Sequence, residues 1–460
     1  MHTGFCRAGM VCYSYNRDMQ QIRRVIKILI PKPLYSLLIP YYHLALSFLG
    51  MIIYKHPSKD ICLIGVTGTK GKSSVTEILG HILRGDNRKV ATLSTIQFSI
   101  ANSHERNLFK MTMPGRFFVQ KFLRQAVDAG CTHAVVEMTS EGAKQHRHRF
   151  LSINGLVFTN LSPEHIESHG SFEKYKTAKL KLAKAVEKSA QPNSFLVANI
   201  DDEYGKEFLH FTVANKLPYS LKDLSLYTLH KDSMSLVLEG KTIRVPLIGL
   251  FNVYNVLAAI TAARQLGVSL ESIQSSLEKL PVISGRVEKF YSPETSPRKI
   301  TAVVDYAHTP DSLTKLYEAF PNQYKVCILG NTGGGRDTWK RPEMASIAEK
   351  FCNQIILTNE DPYDEDPEKI ISEMAEGIED KSKLTIEMDR RAAIELALTT
   401  APDEAVVLIS GKGTDPFIMG PNGTKEVWSD AQVVKESIEK IFNQSIDAAS
   451  TEDSETIHHS

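Results

Sequence analysis

The run Ile61–Leu83, ICLIGVTGTKGKSSVTEILGHIL, limits the fold of this 460-residue chain more than any other stretch. ICLIGV is an uninterrupted apolar segment of strand length, and TGTKGKSS follows it directly. Val75, Ile78, Leu79, Ile82 and Leu83 then recur on one helical face. A strand, a glycine-rich turn and a helix in this order aim backbone N–H groups at an anion. The usual phosphate-loop spacing, GxxxxGK[ST], is missed by one position, because Val66 stands five before Gly71 and Gly65 six before it. The physical requirements are still met. Gly68 and Gly71 free the backbone around Thr69 and Lys70, Lys72 reaches phosphate, and the hydroxyls of Ser73 and Ser74 follow at the helix start. Ser73 is placed to ligate Mg²⁺.

The rest of the chain repeats the strand–helix theme. HAVVEM, GLVFTN and SFLVANI, and later ITAVVDYA, KVCILG, QIILTN and AVVLIS, are short apolar runs separated by helical stretches. Buried parallel strands have this pattern. The fold class expected is α/β: a phosphate-loop domain with a mainly parallel sheet (61–296), then a Rossmann-like α/β domain (297–443). FYSPETSPRK reads as the linker between them, and the polar tail 444–460 as disordered. A net charge of +1 provides no global field for nucleic acid, so no nucleic-acid partner is expected. Six scattered cysteines without a CxxC pair read as separate buried thiols in a reducing compartment.

The first sixty residues differ. Arg23, Arg24, Lys27 and Lys32 precede a stretch from Leu34 to Tyr54 free of Asp, Glu, Lys and Arg, with Lys55 and Lys59 beyond it. A short helical N-terminal segment (1–60) is expected. Three arrangements suit it: an interfacial hairpin contacting the membrane through residues 25–55, a small helical unit packed on the enzyme, or a span.

Several blocks, in order, resemble the Mur ligase superfamily: GVTGTKGKSS, TMPG, EMTSEGAKQHR, FTNLSPEHIESHG, YKTAK, GLFNVYNVLAA, SGRVE, VVDYAHTPDSL, DRRAAIELAL and SGKGTD. Together they cover roughly residues 61 to 440 and most resemble the tripeptide-forming members. The resemblance implies an ATP-dependent ligase of peptidoglycan synthesis, acting in the cytoplasm or at the inner face of the membrane, as a monomer. It would add the third amino acid to UDP-N-acetylmuramoyl-L-alanyl-D-glutamate through an acyl phosphate. Two Mg²⁺ ions would be held by Ser73, Glu137, His165 and Lys179, the last carrying CO₂ as a carbamate. On composition alone, a lysine in KYKTAKLKLAK reads as part of a solvated face.

Other roles follow from the same blocks. Asn255 would contact the adenine end, Arg286 the γ-phosphate and Asp305 the ribose. Thr112, Thr139, Gln145 and Arg147 would hold the UDP-sugar peptide. Arg336 would pair with the free amino acid's carboxylate, and Glu360, Asp361, Tyr363, Gly411 and Asp415 would surround its far end.

Three departures bear on specificity. Tyr363 replaces the arginine of the family's DNPR block, and a phenol cannot clamp a distal carboxylate in a bidentate pair. Glu360, Asp361 and Asp415 suit a distal amine instead. Glu141 replaces the histidine of EVSSH, and the apolar basic segment stands where the family has its uridine-binding domain. A ligase that extends or amidates a γ-glutamyl chain, and a degenerate nucleotide-binding protein at the membrane, are the rival readings.

Overall fold

In a computed structural model, residues 32–164, 166–189, 191–335 and 337–443 are described. The first apolar run becomes β1 (Cys62–Thr67), and β2 (Val90–Leu93), β3 (Gln97–Ile100) and β4 (Ser103–Arg106) follow it. With β5 (His133–Glu137), β6 (Gly155–Phe158), β7 (Phe195–Asn199) and β8 (Asn215–Tyr219) they form an eight-stranded sheet, ordered β4-β3-β2-β5-β1-β6-β7-β8. Strands β2, β5, β1, β6, β7 and β8 pair in parallel, while β3 and β4 fold back as antiparallel additions at one edge. Leu63, Ile64 and Val66 of β1 are buried on both faces, as in a central parallel strand. Ile78, Leu79, Ile82 and Leu83 pack one face from the helix that follows the phosphate loop.

A three-stranded antiparallel sheet, β9 (Leu226–Leu229), β10 (Met234–Leu238) and β11 (Lys241–Val245), adds an element that the apolar runs did not announce. The second domain has a six-stranded sheet of β12 (Glu288–Tyr291), β13 (Thr301–Val304), β14 (Lys325–Leu329), β15 (Gln354–Leu357), β16 (Leu384–Ile386) and β17 (Val406–Ile409). Its order is β12-β13-β17-β14-β15-β16, parallel except for β12. β12 takes Phe290 and Tyr291 from the expected linker, so the second sheet begins ahead of residue 297.

The N-terminal segment forms one helix, α1 (Lys32–Ile53), continuous through Pro40, so Leu34–Tyr54 is not a hairpin. Among the described residues no helix is long and apolar enough to cross a membrane. α1 packs against α2 (Arg116–Asp128). Arg124 of α2 donates to the carbonyls of Tyr54 and Lys55, both at 3.1 Å, capping the end of α1.

The cysteine expectation needs correction. Cys327 on β14 and Cys352 after the helix Lys340–Phe351 are joined in a disulfide, with Cα atoms 6.1 Å apart. A strand and the end of the adjoining helix converge there, which spacing along the chain does not reveal. Cys62 and Cys131 are free thiols; Cys6 and Cys12 lie outside the described residues.

Candidate active site

β1 ends in the glycine loop, and Gly68 (φ +148°) and Gly71 (φ +82°) adopt backbone angles that side chains resist. A Cβ on Gly68 would collide with Thr159, and one on Gly71 with Asn255. Lys72, the first residue of the following helix, folds back over the loop, and its Nζ donates to the carbonyls of Gly68 (3.0 Å) and Thr69 (2.9 Å). Lys70 spans the neighbouring strand end, its N–H donating to Asn160 Oδ1 (2.9 Å) and its Nζ to Glu164 (2.8 Å).

Glu137, at the tip of β5, is 2% exposed. Its Oε2 accepts from the Ser73 hydroxyl (2.9 Å) and the Thr95 N–H (2.9 Å). Thr95 also shares a hydrogen bond with Thr112 (2.8 Å), and Arg286 reaches Ser73 Oγ at 3.4 Å. Lys179 sits on α3 (Phe172–Ser189) and is only 2% exposed, which corrects the composition-based reading of a solvated face. Its Nζ donates to Gly68 O at 2.6 Å and lies 4.8 Å from the Tyr175 ring centroid. Burial, reinforced by the Lys72 cation, holds its pKa well below the usual lysine range. Two lysines therefore converge on one loop carbonyl, and burial lowers the pKa of both, Lys179 well below the usual range.

The second domain closes over this floor. The Arg286 guanidinium stacks 4.7 Å from the Tyr306 ring centroid, and Asp305 accepts from the N–H groups of Val287 (2.8 Å) and Ala307 (2.7 Å). Burial raises the Asp305 pKa. His308 approaches Glu164 at 3.4 Å across the cleft, and burial pushes the His308 pKa down to about 4, leaving a neutral imidazole. Asn255 packs at Gly71 and donates to Asn252 (3.0 Å).

Thr112, Thr139, Gln145 and Arg147, expected to hold the UDP-sugar peptide, line one end of the same cleft. Thr139 caps the short helix Ser140–Lys144 by accepting from Gly142 N–H (3.0 Å). Gln145 Oε1 receives Arg147 (2.8 Å) and Arg116 (3.1 Å). α1 reaches this end too: Ser47 donates to His146 O (2.9 Å), and Arg116 bonds His43.

The phosphate loop, Glu137, these four residues, Asn255, Arg286, Asp305 and Tyr363 all line one cleft of about 1850 Å³ between the domains. Gly68 and Lys179 lie beneath its floor. Glu360, Asp361, Gly411 and Asp415 lie behind its far wall, at the carboxyl ends of β15 and β17. Gly411 (φ +105°) leaves room for the Glu360 carboxylate, and Tyr363 (φ +53°) donates its N–H to Met419 O (3.0 Å). His165 and Arg336 lie outside the described residues. Sequence reasoning missed Thr95, Lys110, Glu164, Tyr175, His308 and Lys412. Glu164 and Tyr175 lie inside blocks already singled out, whereas no local pattern distinguishes Lys110.

Comparison with known proteins agrees with this layout. The Mur ligase middle domain matches residues 66–263, and the Mur ligase, glutamate ligase domain matches residues 285–413. The UDP-N-acetylmuramoyl-L-alanyl-D-glutamate--2,6-diaminopimelate ligase of Parabacteroides distasonis is 34% identical over 84% of this chain and 80% of its own length. The enzyme of the same name from Aquifex aeolicus is 34% identical over 83% and 78%. A solved structure of a ligase of that name superposes with a TM-score of 0.55 at 30% identity, covering 83% and 78% of the two chains. Mycobacterium tuberculosis folylpolyglutamate synthase shares the fold, with a TM-score of 0.63 at 15% identity over 81% and 93%.

Proposed function

Because this chain belongs to the Mur ligase family of ATP-dependent, amide-forming enzymes, we propose that it adds the third amino acid to UDP-N-acetylmuramoyl-L-alanyl-D-glutamate in peptidoglycan synthesis. One observation carries the reading: Lys72, Ser73, Glu137 and Lys179 gather around the Gly68 loop, at the floor of a cleft that Thr112, Thr139, Gln145, Arg147 and Tyr363 also line. The acceptor carboxylate attacks the γ-phosphate of ATP, giving an acyl phosphate and ADP. The neutral amine of the amino acid then attacks the acyl carbon. The tetrahedral adduct expels phosphate, the nitrogen loses its proton, and an amide remains.

Backbone N–H groups of the loop and Lys72 hold the phosphates, while Thr112, Thr139, Gln145 and Arg147 orient the acceptor. Asn255 serves the adenine end and Asp305 the ribose, with Arg286 placed toward the γ-phosphate by its contact to Ser73. Arg336 pairs with the amino acid's carboxylate. The Ser73 hydroxyl and Glu137 carboxylate form an oxygen pair that would hold Mg²⁺. Mg²⁺ supplies charge neutralisation at the transferring phosphoryl group. Lys179 as an amine is a donor and suits no cation. Its burial favours the neutral form that reacts with CO₂, and the resulting carbamate would join His165 around a second Mg²⁺.

Mass spectrometry of products from the muramoyl dipeptide, ATP and a panel of amino acids tests the reaction. The expected product is a tripeptide formed with stoichiometric ADP. Phosphate release indifferent to both acceptor and amino acid would refute the ligase reading.

The outer face of α1 exposes Leu38, Tyr41, Phe48, Leu49, Ile52 and Ile53, and Lys55 and Lys59 follow it, also exposed. The same reading places the monomer in the cytoplasm, with this face lying on anionic lipid at the inner surface. Co-sedimentation with phosphatidylglycerol vesicles should capture the wild-type chain and lose Leu49→Glu/Ile52→Glu. Equal behaviour of the two proteins excludes the contact.

A further inference from the structure

Lys110 lies in the loop after β4, in the first domain, with φ +51°. Its ammonium crosses to the second domain and stands 2.8 Å from Asp361 and 2.8 Å from Asp415. Lys412 holds the same two carboxylates from behind, at 2.9 Å and 3.1 Å. Of these four groups only Lys110 lines the cleft; Asp361 and Lys412 are buried behind it, and Asp415 is half-buried. Burial opposes the charge on Lys110, yet Asp415 and Asp361 outweigh it and hold the pKa above the usual lysine value.

The charges of the four groups cancel. A further ammonium entering from the cleft would meet both aspartates already paired with two ammonium groups, so it reaches them only by replacing Lys110. A second observation shows that the pocket is built for a donor. Glu360 is 4% exposed, and its Oε2 faces Gly411 without a hydrogen-bond partner. An unpaired buried carboxylate oxygen beside the aspartates is costly until a donor reaches it. The loop that carries Lys110 is short, and Asn107 ties its base to Ser94 O (2.9 Å) and Met111 O (3.1 Å). Lys110 can therefore leave while the base of the loop stays anchored.

The geometry points to Lys110 as a specificity-determining residue, a resident ammonium that the distal amine of an incoming diamino acid must displace from Asp361 and Asp415. The inference rests on the ligase reading and refines its amino-acid subsite. It makes the enzyme pay for each diamino acid with one of its own ion pairs, and it leaves monoamino acids without that competition.

Calorimetric titration of the full chain, with a non-hydrolysable ATP analogue present, tests this with L-lysine, meso-diaminopimelate and L-norleucine. In Lys110→Met, affinity for the two diamino acids should rise by roughly tenfold, the equivalent of one charge-assisted hydrogen bond, while norleucine is unchanged. Lys110→Gln, which keeps a polar head, should move the same way if the methionine variant fails to fold. An unchanged ratio of diamino acid to norleucine, or a ratio shifted toward norleucine, overturns the role of Lys110. Wild-type protein that binds none of the three and forms no amide overturns the ligase reading itself.

Discussion

Lys179→Met should lower turnover on the order of 10³-fold, the loss seen when one preorganised electrostatic group is removed from an active site. The same variant should melt at a higher temperature than the wild type. Both effects come from one placement. The lysine is buried beside Lys72, and its Nζ has a loop carbonyl for a partner rather than a carboxylate. Its pKa is lowered from 10.5, so below that pH the unfolded chain binds the proton more readily, and folding loses stability. Methionine keeps most of the stem and removes the charge, so packing is retained while the cost disappears. Turnover of the wild type should also fall in CO₂-free buffer and return with bicarbonate. Full activity in Lys179→Met would remove the carbamate from the mechanism, and a lower melting temperature would contradict the electrostatic cost.

The largest stability loss is expected at Asp430→Ala. Arg390 donates from Nε and Nη2 to the two Asp430 oxygens, both at 2.8 Å, with both residues at most 3% exposed. Nη2 also donates to Ser410 O (2.8 Å), which fixes the start of the Gly411–Asp415 loop, and Trp428 Nε1 donates to Asp430 (2.8 Å). Removing the carboxylate strands a buried guanidinium, for about 3–5 kcal/mol. Urea unfolding should show that loss, and Arg390→Met/Asp430→Leu should recover most of it. A single variant within 1 kcal/mol of wild type, roughly the worth of a surface pair, would show that solvent reaches this pair.

The phosphate loop and most parallel strands were legible because they depend on local order: apolar runs, glycines and the helix that follows. The antiparallel sheet of β9 to β11 was legible in principle. LVLEGKTIRV alternates around Glu239-Gly240, and both turn residues have positive φ, as a two-residue hairpin turn demands. Lys179 shows the opposite case. Its helix is basic, and only packing against the loop determines which lysine is buried, so composition misassigns it and the family blocks alone single it out. Cys327 with Cys352, and Lys110 with Asp361, join positions far apart in sequence. Their pairing follows from how elements stack, and nothing near either residue announces it.

The two loop glycines have a consequence for how this sequence can drift. Gly68 is confined by Thr159 on the next strand end, and Gly71 by Asn255 on the helix Leu250–Gln265. A change at either glycine must overcome the positive φ and also needs a change at a partner some 90 or 180 residues away. Mutational paths through the nucleotide loop are therefore epistatic, and descendants of this sequence should replace these positions in concert or leave them alone.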